Sequence, residues 1–245
     1  MIGGSGRMGA QVVRAVIERG ASARPLSRRM GFDLRRSSPD ELARGLDGVD
    51  AVIDCSDAGR TPATFAASAA ALAEAAGRVG AERLVAVSIL GIDRPGLARM
   101  SYYQGKRAQE AALAAGPVPV TVVRSTQWYG FADQVYAALP LGRFGRAGLA
   151  PKMRMQPVAG SAVAARLADA ALLGGPAARV ELAGPEPMTF ADLVRRLWRA
   201  RGTTAHVAVV PIPGLSGYTD GSLLPGPDAE IDPTTVEEWV SRSAD

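Results

Sequence analysis

The sequence has little of what many enzymes use for their chemistry. Cys55 is its single cysteine and His206 its single histidine, which excludes an internal disulfide and rules out most zinc sites and histidine-based nucleophile triads. Cys55 falls in an apolar strand pattern, which favours a buried thiol with no chemical part. The chemistry of this chain must therefore run on other groups, and no metal site is expected.

Long apolar runs are missing as well. No stretch approaches the roughly 18 apolar residues that cross a bilayer, and there is no charged-then-apolar leader, so we expect a soluble cytoplasmic protein without a membrane partner. Its 245 residues, 47% of them hydrophobic, suit a single domain over 1–245. We expect 1–135 to form the core of that domain and 136–245 to contribute a cap over the substrate.

Lysine is also scarce, because Lys106 and Lys152 are the only two and arginine supplies nearly all of the positive charge. The formal net charge of +4 comes from arginines scattered along the chain, and the one tight basic cluster, within 24–36, is short. This pattern does not argue for a nucleic-acid surface, so a nucleic-acid partner is not expected.

Glycine, by contrast, recurs at every third residue near the start of the chain, at Gly3, Gly6 and Gly9. A phosphate approaches a backbone closely only where no Cβ intervenes, and Gly3 and Gly6 fit a tight strand-to-helix turn of that kind. Gly9 would let the following helix press against the strand. The candidate phosphate-binding residues are therefore Gly3, Gly4, Ser5, Gly6, Arg7, Met8 and Gly9. The alternative is a glycine-rich turn that opens a helix for packing reasons alone.

The rest of the chain alternates between strand and helix patterns. Strands are predicted over 23–27, 32–35, 49–53, 83–89, 118–124, 179–183 and 207–211. Helices are predicted over 8–19, 39–46, 61–79, 98–115, 163–173, 190–201 and 234–242. This alternation is typical of right-handed βαβ units, so the predicted fold is α/β, with a doubly wound parallel sheet and a small C-terminal cap.

Two parts of this fold are expected to be irregular. Only Met1 and Ile2 precede the glycines, whereas a central strand usually has about five or six residues, so the first strand is expected to be truncated. Residues 138–157 are rich in Gly, Pro and Arg and are expected to form an irregular, mobile loop over the site.

Two strand ends indicate how a dinucleotide would be held. The second predicted strand ends in Arg28 and Arg29 instead of an acidic residue, and guanidinium groups bind the additional phosphate of NADP. These arginines therefore favour NADP(H) as the cofactor; the alternative is that they are solvated loop charges. Cys55 and Ser56 follow the next buried strand, at the edge where open α/β sheets bind ligands, and are further cofactor-binding candidates.

Ser88, Tyr102 and Lys106 carry the predicted chemistry. Tyr102 and Lys106 are four residues apart and so share one face of a helix, where the ammonium would lower the tyrosine pKa from its usual value of about 10. Ser88, at the carboxyl end of a strand, would hold a substrate carbonyl oxygen while Tyr102 supplies a proton and a nicotinamide supplies a hydride. In a chain so poor in lysine, the presence of Lys106 at this position favours a chemical role. Lys106 is also a candidate cofactor-binding residue, because in this arrangement it would reach the nicotinamide ribose.

Three aromatic residues, Trp128, Tyr129 and Phe131, follow the strand predicted over 118–124. They fit either the wall of a ligand pocket or the core at the base of the cap, and the sequence does not decide between the two. Either interpretation places them close to the carboxyl edge of the sheet.

Together these features resemble the short-chain dehydrogenase/reductase superfamily, in particular its atypical NmrA-like branch. The loop over 3–9 looks like the GxxGxxG loop of that branch, while Ser88 and the Tyr102 and Lys106 pair look like the superfamily's Ser and YxxxK elements. Similarity to NmrA-like proteins extends over 102–110, 120–127 and 182–189. The resemblance implies a Rossmann fold with a small cap and NADP(H) as cofactor. The chain departs from the superfamily in having no evident equivalent of its catalytic asparagine.

Two functions are consistent with these residues. The first is an NADPH-dependent oxidoreductase that transfers a hydride to a small carbonyl or quinone-like molecule. The second is a non-catalytic regulator that binds NADP(H) and changes its contact with a protein partner, because the resemblance extends to redox-sensing proteins that do not turn the dinucleotide over. The sequence leaves the substrate and the oligomeric state open, including a homodimer.

Overall fold

The computed structural model describes residues 1–57, 59–138, 143–144, 147–175, 178–204, 206–211 and 216–242. Its helices are α1 (Arg7–Glu18), α2 (Pro39–Leu46), α3 (Pro62–Arg78), α4 (Ser101–Ala114), α5 (Phe131–Ala138), α6 (Gly160–Leu172), α7 (Phe190–Ala200) and α8 (Val236–Arg242). Its strands are β1 (Ala51–Asp54), β2 (Arg83–Ile89), β3 (Val120–Ser125), β4 (Arg143–Phe144), β5 (Ala147–Pro151), β6 (Arg154–Met155), β7 (Ala178–Ala183), β8 (Met188–Thr189), β9 (His206–Val210) and β10 (Glu230–Ile231). The predicted α/β class is confirmed.

A parallel sheet of five strands forms the centre of the fold, in the order β1, β2, β3, β7 and β10. Val52 lies beside Leu84, and Ala86 lies beside Val122, so the register is regular from β1 to β3. Because the strands are parallel, their carboxyl ends meet along one edge of the sheet. The residues of the candidate site lie along that edge.

Helices cover both faces of this sheet. Along β2, Leu84 and Ala86 pack with α2, α3 and α4, whereas Val85 and Val87 pack with α1 and α6. A strand that is covered on both faces carries apolar side chains on both, as this segment does. The doubly wound sheet is therefore confirmed.

Capping boxes mark the starts of α2, α3 and α7. Ser38, Thr61 and Thr189 each accept the backbone N–H of the residue three positions on, and the side chain of that residue accepts the N–H of the cap. Pro39 and Pro62 open their helices, where a missing N–H costs no hydrogen bond. These local signals explain why all three helices lie close to their predicted bounds.

The predicted strand over 32–35 is wrong, because the chain turns there. The Asp33 carboxylate accepts the Arg35 N–H at 3.2 Å, and the Asp33 carbonyl accepts the Ser37 N–H at 2.7 Å. An aspartate that is bonded in this way to the backbone just after it favours a turn over an extended strand.

Beyond the sheet, the C-terminal part builds an apolar cluster around buried Met155, Phe190 and Leu197. Within it β5 pairs with β4 and β9, and β6 pairs with β8. The prediction of an irregular loop over 138–157 is therefore wrong for the described part, although 139–142 and 145–146 lie outside the described residues. Local composition missed these strands because their partners come from much later in the chain.

Met1 and Ile2 lie at the first-strand position, as predicted from the sequence. Ile2 makes parallel bridges to Leu26 on one side and to Asp54 on the other. Over 23–27, where a second strand was predicted, Leu26 makes this single bridge and no longer ladder forms.

A cleft of about 620 Å³ continues the line of this short strand toward the amino edge of the sheet. Arg24 and Pro25 border the cleft on one side, and Ala51 and Ile53 border it on the other. The Met1 nitrogen donates to the Arg24 carbonyl at 2.9 Å and Met1 also borders the cleft. The cleft therefore lies beside Met1, between the segment at 24–25 and β1.

We predict that a three-residue Val-Thr-Val extension ahead of Met1 raises the melting temperature. Each new ladder bond contributes about 1 kcal/mol, which in a chain of this size corresponds to roughly 2–4 °C. Differential scanning calorimetry measures the change. An extension of three prolines is the control, since it has the same length and no N–H to donate. Equal melting temperatures for both extensions would show that the cleft does not accept a strand.

Candidate functional site

The glycine-rich turn joins the short first strand to α1 and depends on missing side chains. The Gly6 N–H donates to the Gly3 carbonyl at 2.9 Å, which closes the turn. Gly3 has a φ of +73°, and a Cβ there would lie 2.9 Å from the Cys55 carbonyl oxygen. Only glycine adopts this conformation cheaply at so close an approach.

Helix α1 begins immediately behind this turn. A Cβ on Gly9 would lie 2.1 Å from the Gly3 carbonyl oxygen, so the helix can press on the turn only because Gly9 has no side chain. Gly6 is the N-cap and no side chain caps the helix. The first N–H groups and the positive end of the helix dipole are therefore free for an anion, as in known phosphate sites.

A cleft of about 490 Å³ opens over this helix end. Among the predicted cofactor-binding residues it is lined by Gly3, Ser5, Gly6, Arg7, Met8, Arg28, Arg29, Cys55 and Ser56. Gly4 instead packs against Pro25, and Gly9 supports the turn from behind. Tyr102 and Trp128 line the same cleft. The structure therefore brings residues from four separate segments to one place.

One end of this cleft is strongly basic. Arg28 and Arg29 lie exposed in a single helical turn, and Arg35 also borders the cleft. The Arg35 guanidinium donates to the Asp33 carboxylate at 3.0 and 2.8 Å and lowers the pKa of Asp33 to about 2. The one acid at this end is thus already neutralised by Arg35, which leaves two arginines for a bound phosphate.

Sequence reasoning missed some residues of the cleft. Asp33 and Arg35 were assigned to a strand, although Arg35 belongs to the basic cluster that the composition singled out. Ser27 was also overlooked, and its hydroxyl, like that of Ser56, is buried without a hydrogen-bond partner among the described residues. Hydroxyl groups that lack a partner beside a polar cleft suit a hydrogen-bonding ligand.

Tyr102 stands in the first turn of α4 with 45% of its surface exposed. Its ring meets the edges of Phe65 and Tyr103, at centroid distances of 6.0 and 6.4 Å. Partial burial, together with the negative charge of Asp57, raises the pKa of Tyr102 to about 12. The phenol therefore keeps its proton across the physiological range.

Lys106 lies one turn further along α4, but its ammonium points to the sheet. The Lys106 Nζ donates to the Val87 carbonyl at 2.8 Å and to Gln109 Oε1 at 2.5 Å. Burial lowers the pKa of Lys106, and the pKa of Tyr102 is raised. The expectation that Lys106 lowers the Tyr102 pKa is therefore wrong for this arrangement, because the ammonium is used by Val87 and Gln109.

Ser88 lies at the carboxyl end of β2 and, like Lys106, is not among the residues that line the cleft. It is 2% exposed, and its hydroxyl has no hydrogen-bond partner in the described part of the chain. In the parallel register Ser88 pairs with Arg124, whose side chain reaches Glu110 on α4. Paired residues of neighbouring strands point to the same face, so Ser88 faces the α4 side of the sheet, as Tyr102 requires.

The three aromatic residues after β3 divide between the two interpretations. Trp128 lines the cleft and donates from its indole nitrogen to Ser125 Oγ at 2.9 Å. Tyr129 is fully buried and donates to the Thr234 carbonyl at 2.7 Å, while Phe131 packs edge-on against Phe190. Trp128 is thus a pocket wall, and the other two belong to the apolar cluster around Phe190.

No helix in the ranges given above combines the length and apolar character needed to cross a membrane. In the same ranges no cluster of three or more His, Cys, Asp or Glu side chains could hold a metal ion. Burial raises the pKa of the Cys55 thiol to about 12, which keeps it protonated and unreactive at neutral pH.

Comparison with known proteins agrees with this geometry. Residues 3–130, more than half of the chain, match the family described as NAD(P)H-binding. No curated protein sequence matches the chain. The matched range contains the glycine turn, the basic end of the cleft and Tyr102.

Solved structures share the fold over nearly the whole chain. An NADPH-dependent quinone oxidoreductase from Escherichia coli, solved with NADPH, has a TM-score of 0.73 at 18% identity, covering 100% of this chain and 99% of that one. The triphenylmethane reductase of Citrobacter sp. with NADP(H) has a TM-score of 0.73 at 15% identity, covering 98% of each chain. A UDP-N-acetylglucosamine 4-epimerase from Bacillus cereus has a TM-score of 0.70 at 15% identity, covering 98% and 97%. At these identities the likeness establishes a common fold.

We predict that Gly9→Ala weakens NADPH binding at least about tenfold, a loss of 1.4 kcal/mol. The added methyl group would push the Gly3 carbonyl out of place and distort the phosphate turn. Isothermal titration calorimetry measures the affinity. Gly226→Ala is the control, since a Cβ there makes only an ordinary contact, 3.4 Å from Glu181. If both variants bind NADPH as the unmodified protein does, the turn is not the phosphate site.

Proposed function

This chain belongs to the NAD(P)H-binding family, and on that premise we propose that it is an NADPH-dependent oxidoreductase acting on a small carbonyl or quinone-like substrate. The observation that carries the proposal is the position of Tyr102. Its hydroxyl-bearing ring lines the same cleft as the glycine turn. A proton donor beside a dinucleotide site is the minimum that a reductase requires.

The cleft residues fit the parts of the cofactor. The free N–H groups of α1 and the turn at Gly3 and Gly6 suit the diphosphate, and Arg28 and Arg29 suit an additional ribose phosphate. When bound, NADPH supplies the hydride. Trp128 offers an aromatic wall against which a conjugated substrate could pack.

In this proposal Tyr102 supplies the proton. With a pKa of about 12 the phenol is fully protonated at neutral pH and can donate to a developing oxyanion. Ser88 lies on the same side of the sheet, and its hydroxyl has no hydrogen-bond partner among the described residues. This hydroxyl would hold the substrate oxygen. Lys106 does not lower the pKa of the tyrosine here. Its buried positive charge would instead stabilise the negative charge that develops on the substrate oxygen.

The neighbours support an aromatic substrate. The Escherichia coli protein is a quinone oxidoreductase, and the Citrobacter protein reduces triphenylmethane compounds, so the same fold serves conjugated ring systems in both. Within the family, placement in the NmrA-like branch remains our proposal, supported by the sequence over 102–110, 120–127 and 182–189.

A second candidate is a regulator that binds NADP(H) without turning it over. The raised pKa of Tyr102 favours it, because the Lys106 ammonium donates to Val87 and Gln109 and does not lower the pKa of the phenol. A regulator of this kind would need a protein partner whose binding depends on NADP(H). Turnover therefore separates the two candidates.

We predict that Arg28→Ala combined with Arg29→Ala removes a preference for NADPH over NADH. Hydrogen bonds to a charged phosphate contribute about 1.5–3 kcal/mol, so the NADPH affinity should fall at least tenfold while NADH affinity stays constant. Calorimetric titration with both nucleotides tests this. The matched control is Arg14→Ala with Arg44→Ala, which removes the same charge from exposed helix positions. Equal NADPH and NADH affinities in the unmodified protein would contradict the assignment.

We predict that Tyr102→Phe lowers kcat about 100-fold or more with NADPH affinity nearly unchanged, because only the proton donor is lost. NADPH oxidation with a panel of quinones and aldehydes measures turnover. Tyr103→Phe is the control, since Tyr103 is buried beside Tyr102 and should keep full activity. Activity that is lost in Tyr103→Phe and kept in Tyr102→Phe would reverse the assignment. Absence of turnover in every protein, with NADPH still bound, would favour the regulator.

A further inference from the structure

A line of buried polar groups runs from α4 to the carboxyl end of β1. Lys106 Nζ donates to Gln109 Oε1 at 2.5 Å, and Gln109 Nε2 donates to Asp54 Oδ2 at 2.8 Å. Lys106, Gln109 and Asp54 are 3%, 4% and 1% exposed. Bulk water does not reach any of the three side chains, so the loss of one partner would leave a buried polar group of its neighbour without a hydrogen bond.

The polarity of this line is fixed by its two ends. An ammonium only donates and a carboxylate only accepts, so the Gln109 amide must present its oxygen to Lys106 and its nitrogen to Asp54. The second Asp54 oxygen accepts the Ser56 N–H at 2.9 Å. Ser56 lines the cleft, so the line connects Lys106 to the loop that borders the dinucleotide site.

Lys106 uses two of its three donors within the described part of the chain. An ammonium carries three N–H groups, and the Val87 carbonyl and Gln109 take two of them. The third has no acceptor among the described residues, and Lys106 lies one helical turn from Tyr102, which lines the cleft. The direction of this third N–H is set by the other two bonds, and one of these depends on Gln109.

The charge of Lys106 depends on its buried surroundings. Burial lowers the pKa of Lys106, and the groups that oppose this are Asp54 from β1, Cys55 and Asp57 from the following loop, and Glu110 from α4. Asp54 contributes the most of these. Gln109 is the side chain that joins Asp54 to the ammonium.

We propose that Gln109 and Asp54 are positioning residues, which hold the Lys106 ammonium so that its third N–H serves the bound dinucleotide. This rests on the proposed binding of NADPH and adds residues that neither the glycine turn nor the catalytic set includes. The proposal predicts that the line tolerates a moved negative charge and fails when that charge is doubled or removed.

A charge-relocation cycle tests this. Asp54→Asn removes the one carboxylate of the line, and Gln109→Glu adds a second one. Each single variant therefore leaves the line with a number of carboxylates other than one. In the double variant the new carboxylate at 109 accepts from Lys106 and from the new amide at 54, whose oxygen still accepts the Ser56 N–H. Each single variant should bind NADPH at least tenfold more weakly, and the double variant should recover to within about threefold of the unmodified protein. Losses that simply add in the double variant would overturn the proposal.

The pH dependence supplies a readout that a purely structural role would not move. Lys106 is charged below its pKa and neutral above it, and Asp54→Asn removes the main opposition to the effect of burial. The NADPH affinity of Asp54→Asn should therefore fall further as the pH rises from 6 to 9, while the double variant follows the unmodified protein. A deficit that is constant with pH would count against the proposal.

Two further variants keep the test decisive. If a single variant does not fold by circular dichroism, Gln109→Met keeps the side-chain length without a charge and should still lose NADPH affinity. Lys106→Met should lose at least as much, and unchanged NADPH binding in Lys106→Met would overturn the proposal. Binding is measured by calorimetry without substrate, so absence of turnover with an intact cycle would reject the reductase function alone.

Discussion

The close approach of three backbone segments at the glycine turn is the constraint on which the site depends. The Gly3 carbonyl, the Cys55 carbonyl and the start of α1 meet within distances that no Cβ would allow. This contact sets the position of the chain after Ile2, the direction of α1 and the position of the loop after β1. A phosphate site of this kind is made by removing side chains, which is why it is readable from glycine spacing.

The turn follows directly on Ile2, the single residue that bridges its two neighbours in the sheet. Ile2 joins Leu26 to Asp54, and through Asp54 it touches the buried line that reaches α4. The cofactor turn, the sheet centre and the helix that carries Tyr102 are therefore linked through one aspartate. A carboxylate buried to 1% is costly unless its oxygens are satisfied, and here Gln109 and Ser56 satisfy both.

The sequence predicted those features whose cause is local. The alternation of strand and helix patterns located most of the helices and central strands, and glycine spacing located the turn between Ile2 and α1. The turn at Asp33 is local too, but its side-chain bond to the Arg35 N–H is not evident from composition, and the strand predicted there is wrong. The sequence did not predict what depends on distant partners, such as the pairing of β5 with β9. The direction of the Lys106 ammonium was missed for the same reason, since helical spacing fixes which face a side chain shares but not which acceptor it finds.

Lysine at position 106 is explained by that acceptor geometry. In a chain that uses arginine almost throughout, a guanidinium at this position would have to fit a planar fork between the Val87 carbonyl and Gln109 in a space sealed from water. A compact ammonium with three rotating donors meets both acceptors and keeps one donor. The ammonium does not lower the pKa of Tyr102, which is raised by the burial of the ring and by Asp57. In the function that we propose, proton donation and charge stabilisation would therefore be divided between two residues that lie one turn apart on α4.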